Sequence, residues 1–229
     1  MRSYIKTSYL IVALLITSMG YFVSCTHDDD LLVDAAKPNI QRGTDIVKLS
    51  DGWVFDKTHS NVTWETAYIG TGALLTGRFN QFGLTSFSFD EANAANTSFV
   101  AWVRLNTVNT GEPGRDAGCL LGTFGTALGK VDEAENLATI KSKSIELSTT
   151  DKSYIVKCDL TFHGVTKEVT AKLNYTGKAT FPAGYAGANE LTLAGASIEF
   201  QFFAKTDFAI VSNNIADKVF IKCNAQFKK

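Results

Sequence analysis

Proline, histidine and net charge are all scarce in this chain. Only 3 prolines stand among 229 residues, so little interrupts extended strands. The 22 Lys and Arg residues nearly balance the 23 Asp and Glu residues. Without a basic stripe, nucleic acid is excluded as a partner class. Of the 3 histidines, His27 belongs to the acidic tether, and His59 and His163 stand apart with no Cys, Asp or Glu cluster at ligand spacing, whereas zinc takes three or four such ligands. Also missing are a Gly-x-Ser-x-Gly elbow, a phosphate-cradling glycine loop and a His-Glu-x-x-His helix. Acidic residues scatter over turns and wet faces, with no spacing that forms a general acid–base pair. The residues therefore read as those of a non-enzyme, with no metal and no cofactor.

What is present begins with a leader. Arg2 and Lys6 precede an apolar run from Tyr9 to Val23. That run is about 15 residues, short of the roughly 20 that span a bilayer. It ends at Phe22-Val23-Ser24-Cys25, which resembles a bacterial lipobox. The reading is a lipoprotein signal peptide over 1–24, with Cys25 as the lipidated residue. Thr26-His27-Asp28-Asp29-Asp30 follows. It is either the start of a solvated linker or, by resemblance, the acidic address of surface lipoproteins in the Bacteroidetes. Residues 25–50 lack a sustained apolar period and read as a flexible tether. This implies a cell-envelope, outer-membrane lipoprotein, periplasmic or surface-exposed, whose only membrane contact is the lipid anchor. The formal net charge of −1 becomes about −3 once Arg2 and Lys6 leave with the leader.

Residues 51–229 are enough for one domain with a substantial core. Period-two alternation recurs through them, which marks strands with one apolar and one wet face. The clearest case is Val156, Cys158, Leu160 and Phe162, then a turn at Gly164, then Val169, Ala171, Leu173 and Tyr175. Gly164 supplies the backbone freedom the reversal needs. Similar alternation covers Val62 to Tyr68, Leu75 to Phe79, Phe99 to Leu105, Ile198 to Phe202 and Val219 to Phe227. Roughly eight to ten strands, with one helical insertion over 118–135, predict an all-β sandwich or barrel. No long crossover helices separate the strands, so a parallel sheet is excluded. Cys119, Cys158 and Cys223 remain beyond the lipidation site. An odd number cannot all pair within one chain, and Cys158 and Cys223 sit on apolar faces as small hydrophobes do.

The turn segment Leu160-Thr161-Phe162-His163-Gly164-Val165-Thr166-Lys167 resembles the YceI-like family. Further matches follow in order: Asp56-Lys57-Thr58-His59-Ser60-Asn61-Val62, Gly77-Arg78-Phe79-Asn80-Gln81-Phe82, Thr107-Val108-Asn109-Thr110, Arg115-Asp116, Lys205-Thr206-Asp207-Phe208 and Ile215-Ala216-Asp217-Lys218-Val219. Each is weak alone; the ordered set covers nearly all of the folded part. The resemblance implies an extended, lipocalin-like antiparallel β-barrel that binds long isoprenoid or other lipid chains. Where that family has a His-Leu pair, this chain reads Ala117-Gly118-Cys119-Leu120, and no headgroup role passes to that position.

The function expected is non-catalytic binding of a polyisoprenoid, quinone or fatty acyl chain. The alternatives are a ligand-free surface module or an accessory to isoprenoid-quinone redox chemistry. Periodicity alone allows either a filled interior or one that surrounds a ligand. For a ligand-lined interior the candidates are Val62, Trp64, Tyr68, Phe79 and Val103, together with Leu105, Leu160, Phe162, Phe200 and Phe202. Arg115 either pairs with Asp116 to pin its loop or faces an anionic headgroup at the barrel mouth. His59 and His163 read as turn caps that bond backbone groups.

Overall fold

A computed structural model describes residues 43–69, 72–124, 133–151, 153–185, 187, 189–213 and 215–229. The leader, Cys25 and the tether up to residue 42 lie outside the described residues.

The fold is the all-β antiparallel barrel that the sequence predicts. Its strands are β1 (Ile46–Lys48), β2 (Val54–Phe55), β3 (Asn61–Tyr68), β4 (Leu74–Phe79), β5 (Phe82–Asp90), β6 (Ser98–Arg104), β7 (Val108–Asn109), β8 (Leu137–Leu147), β9 (Tyr154–Phe162), β10 (Val165–Phe181), β11 (Leu191–Phe203) and β12 (Ile215–Lys228). They form one sheet in the order β1-β5-β6-β8-β9-β10-β11-β12-β3-β4-β7, with β2 also on β12. All pairings are antiparallel.

The β9–β10 hairpin shows why these residues choose strands. Phe162 pairs with Val165, which leaves His163 and Gly164 as a two-residue loop. Both have positive φ, 52° and 70°, the type I′ geometry whose twist matches the flanking strands. The register then sends Tyr154, Val156, Cys158, Leu160 and Phe162 inward, alongside Val169, Ala171, Leu173 and Tyr175, all buried. Lys157, Thr166, Glu168 and Thr170 stay outside. A one-residue slip would turn the whole set to water, so the apolar pattern fixes the register.

Among the described residues no ladder joins β5 to β2 or β4, the place where the barrel must close. Rings close it instead. Phe55 of β2 meets Phe82 of β5 at 6.2 Å and Phe227 of β12 at 6.0 Å, and Phe87 of β5 stacks on Phe227 at 4.3 Å. The chain also stitches this seam covalently, since residues 49–53 run from β1 on β5 to β2 on β12.

Three differences from the sequence reading have physical causes. The fold begins before residue 51: β1 pairs with β5, and Asp45 is buried, bonded by Tyr175 Oη at 2.9 Å and Lys178 Nζ at 2.6 Å. A three-residue strand is too short to show alternation. The helical insertion begins earlier, as α1 (Pro113–Phe124), followed by the short α2 (Glu133–Asn136); residues 125–132 lie outside the described residues. Pro113 suits a first helical turn because its missing N–H has no partner there anyway. Glu112 caps that turn by accepting from the backbone N–H groups of Gly114 and Arg115 at 3.1 and 2.5 Å. Finally, twelve strands are present because β1 and β7 are short additions at the sheet edges and β2 is a two-residue pairing at the end of β12. One more short helix, α3 (Ala204–Phe208), links β11 to β12.

Asp56 anchors the turn between β2 and β3. Its carboxylate lies 2.8 Å from His59 Nδ1 and 3.8 Å from Lys228 Nζ, and it accepts from Thr58 N at 3.2 Å. The bond from His59 holds its pKa below the ordinary carboxylate range, opposed by burial and helped by Lys228. A carboxylate whose pKa is depressed on folding stabilises the fold above its unfolded pKa, about 4, and loses that effect as pH falls through the folded value. Asp56→Asn should therefore unfold with a shallower loss of stability below about pH 4 than the parent. Urea titrations at pH 7 and pH 3 check this; parallel pH profiles would remove Asp56 as an acid-sensitive group.

Candidate functional site

The inner face of the barrel lines a cavity of about 120 Å³. Its wall is almost wholly carbon, drawn from the inward positions of β3 to β6 and β8 to β12 and from α1. Among the described residues no Lys, Arg, His, Asp or Glu lines it. Phe55 and Phe82 of the seam form part of the wall, as do Phe87 and Phe99.

At one end an aromatic cluster closes the space. Phe124, the last residue of α1, places its ring 5.1 Å from Phe79, 5.2 Å from Trp64 and 6.5 Å from Phe162. Phe162 in turn meets Phe208 of α3 at 5.2 Å and Phe202 of β11 at 5.7 Å. Edge-to-face rings of this kind add about 0.5–1.5 kcal/mol per pair beyond their burial. The ring of His163 bonds the carbonyl oxygen of Phe124 through Nε2, so the β9–β10 turn ties down the end of the helix.

Eight of the ten candidate lining residues face this cavity: Val62, Phe79, Val103, Leu105, Leu160, Phe162, Phe200 and Phe202. Trp64 and Tyr68 do not. Trp64 points inward, but its indole folds over Gly77, its partner in register. A Cβ on Gly77 would lie 2.6 Å from that ring, so the missing side chain makes the seat. The Phe124 ring meets the indole edge-to-face at 5.2 Å. Tyr68 sits at the far end of β3, paired with Ile215, beyond the cavity. The sequence reading also missed contributors. Ile221, Cys223 and Ala225 line the wall, and the alternation of the last strand already marked their face. Phe124 had no such signal, because it comes from a helix.

Cys223 shows what the interior does to polar chemistry. It pairs in register with Ile198 and Val62 and is part of the cavity wall. Loss of water pushes its thiol up to about 12. Cys158, fully buried, is likewise pushed up to about 12, and Cys119 is raised by burial and by the nearby Asp116. All three are free thiols, in the low-reactivity state that desolvation produces.

The remaining candidates lie elsewhere. Arg115 is exposed in the first turn of α1 and is not part of the cavity wall. Among the described residues it forms no ion pair with Asp116. Asp116 instead accepts from Thr110 N at 2.7 Å and Thr110 Oγ1 at 2.6 Å. A backbone N–H and a neighbouring hydroxyl reach this carboxylate at the start of the helix, where a negative charge is favoured. His59 bonds the Asp56 side chain and not a backbone group, whereas His163 bonds the backbone of α1. Among the described residues no three His, Cys, Asp or Glu side chains come together as a metal site.

Comparison with known proteins fits this geometry. A UPF0312 protein of Vibrio parahaemolyticus is 32% identical over 141 residues, 59% of this chain and 70% of its own length. A UPF0312 protein of Pseudomonas paraeruginosa is 30% identical over 148 residues, 62% of this chain and 73% of its own. Among solved structures, Burkholderia cenocepacia BcnA superposes with a TM-score of 0.56 at 19% identity, covering 76% of this chain and 99% of that one. A polyisoprenoid binding domain from Saccharophagus degradans, implicated in plant cell wall breakdown, gives 0.49 at 18% identity, covering 76% and 97%. The YceI-like domain itself matches residues 53–227, nearly the whole barrel, and this chain therefore belongs to the YceI-like family.

Proposed function

We propose that this domain holds one long apolar chain, a polyisoprenoid, quinone tail or fatty acyl group, without catalysis. The carbon-walled cavity with no charged side chain in its lining supports this reading. The driving force is desolvation, at about 25 cal/mol per Å² of apolar surface removed from water. Association itself costs at least about 4 kcal/mol, so a ligand must bury more than about 160 Å² before it binds at all. Short chains fail that threshold; long ones pass it.

Size narrows the choice further. A cavity of about 120 Å³ is below the roughly 300–1,000 Å³ common for drug-sized ligands. A cavity of about 150 Å³ takes a single benzene ring, so a long chain enters this space only where the aromatic walls yield. Lipidation of Cys25 would hold the barrel in the cell envelope, at the outer membrane.

The test is native mass spectrometry of the mature protein purified from its bacterium, followed by organic extraction. A discrete extra mass, recovered as an isoprenoid or acyl species, is expected. An apo mass that gains nothing on incubation with quinones and prenyl lipids would overturn the reading in favour of a ligand-free surface module.

A further inference from the structure

A chain that reaches the cavity must pass its walls or its ends. Around most of the barrel neighbouring strands are laddered, and parting them breaks backbone hydrogen bonds. One end is filled by the rings of Phe124, Phe162, Phe202 and Phe208. The other is filled by Phe89, whose ring meets Tyr154 at 5.5 Å and Tyr175 at 4.3 Å. These three are buried, none of them lines the cavity, and Tyr175 is pinned by its bond to Asp45 at 2.9 Å. The seam between β5 and β2 differs. Among the described residues no ladder crosses it, and Phe55, Phe82 and Phe87, three of its four rings, are themselves cavity wall. Asn61, at the start of β3, is exposed and yet part of the wall, so the cavity comes to the surface beside this seam.

We propose that the ligand enters and leaves sideways through this seam, with the rings of Phe55, Phe82, Phe87 and Phe227 as its gate. The inference rests on the reading of the domain as a lipid binder. Two covalent crossings bound the opening. Residues 49–53 join β1 on β5 to β2 on β12, and residues 80–81 join β4 to β5. Between the crossings β5 runs from Phe82 to Ser88, about 20 Å of strand at about 3.3 Å per residue. That is a slot for a slender chain, and neither crossing has to break for it to open.

Unequal costs select this route. A ladder opened to admit a ligand leaves backbone donors and acceptors unpaired against an apolar chain. Ring contacts carry no such penalty, because burial of carbon is non-directional and an apolar chain that replaces a ring covers the same surface. On the outside, Lys57 Nζ lies 5.6 Å from the Phe82 ring. Its flexible stem follows the ring while the ammonium stays in water. The same movement answers the small volume. Displacing β5 outward enlarges a space of about 120 Å³ and leaves the ring-filled ends in place.

The experiment staples the seam in the purified mature protein. Lys57 and Ser86 are exposed on its two sides, and neither lines the cavity. In Lys57→Cys/Ser86→Cys a flexible bis-maleimide that contains a disulfide links the two new thiols, while the desolvated native thiols stay unreactive. The probes are a prenyl quinone and a prenyl alcohol carried in phosphatidylcholine vesicles, with uptake followed by native mass spectrometry. Stapled before loading, the barrel should take up both probes at least about 100-fold more slowly than the unstapled variant. Stapled after loading, it should release them to empty vesicles more slowly by the same factor. Reducing the linker should restore both rates. A second variant needs no staple: Phe55→Ala removes the ring contacts to Phe82 and Phe227 and should speed uptake and release together by about tenfold. Equal rates with and without the staple, or faster release from Phe55→Ala with uptake unchanged, would overturn the seam as the route while leaving lipid binding intact. Failure of the parent protein to take up either probe would instead refute the lipid-binding reading, and this inference with it.

Discussion

Cys223→Phe should abolish uptake of a long apolar chain while the barrel remains folded. Cys223 projects from β12 into the cavity between Val62 of β3 and Ile198 of β11. Its thiol touches open interior space, so a phenyl ring has somewhere to go. Enlarging a residue in a filled core forces neighbours off their rotamers and costs about 1–3 kcal/mol. Here the ring instead occupies part of a space of about 120 Å³, and each new contact adds dispersion energy. The urea midpoint of the variant should match or exceed the parent's. The bound lipid should vanish from the native mass spectrum, a loss of at least about 100-fold in affinity, or about 2.7 kcal/mol. A variant that folds well and still carries the parent's lipid would show that the chain does not lie in this cavity.

The same comparison shows what the sequence could and could not reveal. Alternation in β9, β11 and β12 is local, because a period of two depends only on neighbours in the chain. It placed Leu160, Phe162 and Phe200 on the inner face and marked that of Cys223 as well. The His163–Gly164 turn was legible for a similar reason, since φ above zero favours Gly strongly. Trp64 was not. Its strand position points inward, yet whether it reaches the cavity depends on Gly77 across the ladder and Phe124 from a helix. Neither contact is local, and no periodicity encodes it. The closing seam was invisible too. Phe55, Phe82, Phe87 and Phe227 come from three strands far apart in sequence, and ring contacts leave no spacing to read. Arg115 was misplaced because Gly111, Pro113 and Gly114 suggested a loop, whereas Pro113 begins a helix whose cap is Glu112.

Phe162→Ala should be the most destabilising single truncation in the closed end of the barrel. The ring is 2% exposed and joins four others: Phe124, Phe202, Phe208 and His163. Those neighbours belong to α1, β11, α3 and the hairpin turn, so one side chain holds together elements that no ladder connects directly. Phe→Ala in a core costs about 3–5 kcal/mol, and the cost rises with the volume the surroundings fail to fill. Phe162 also borders the ligand cavity, so the new hole merges with existing space that the barrel ladders keep from collapsing. The upper part of that range is therefore expected. For a domain of this size each kcal/mol moves the melting temperature by about 2–4 °C, so a cost of about 4–5 kcal/mol should lower it by about 8–20 °C. The control is Ile155→Ala on the same strand. Ile155 is 45% exposed on the outer face, where a truncation changes stability by about 0.5 kcal/mol or less. Urea denaturation of both variants measures the difference directly. If the two cost the same, the aromatic cluster does not hold the helix to the barrel, and the fold is secured by its ladders alone.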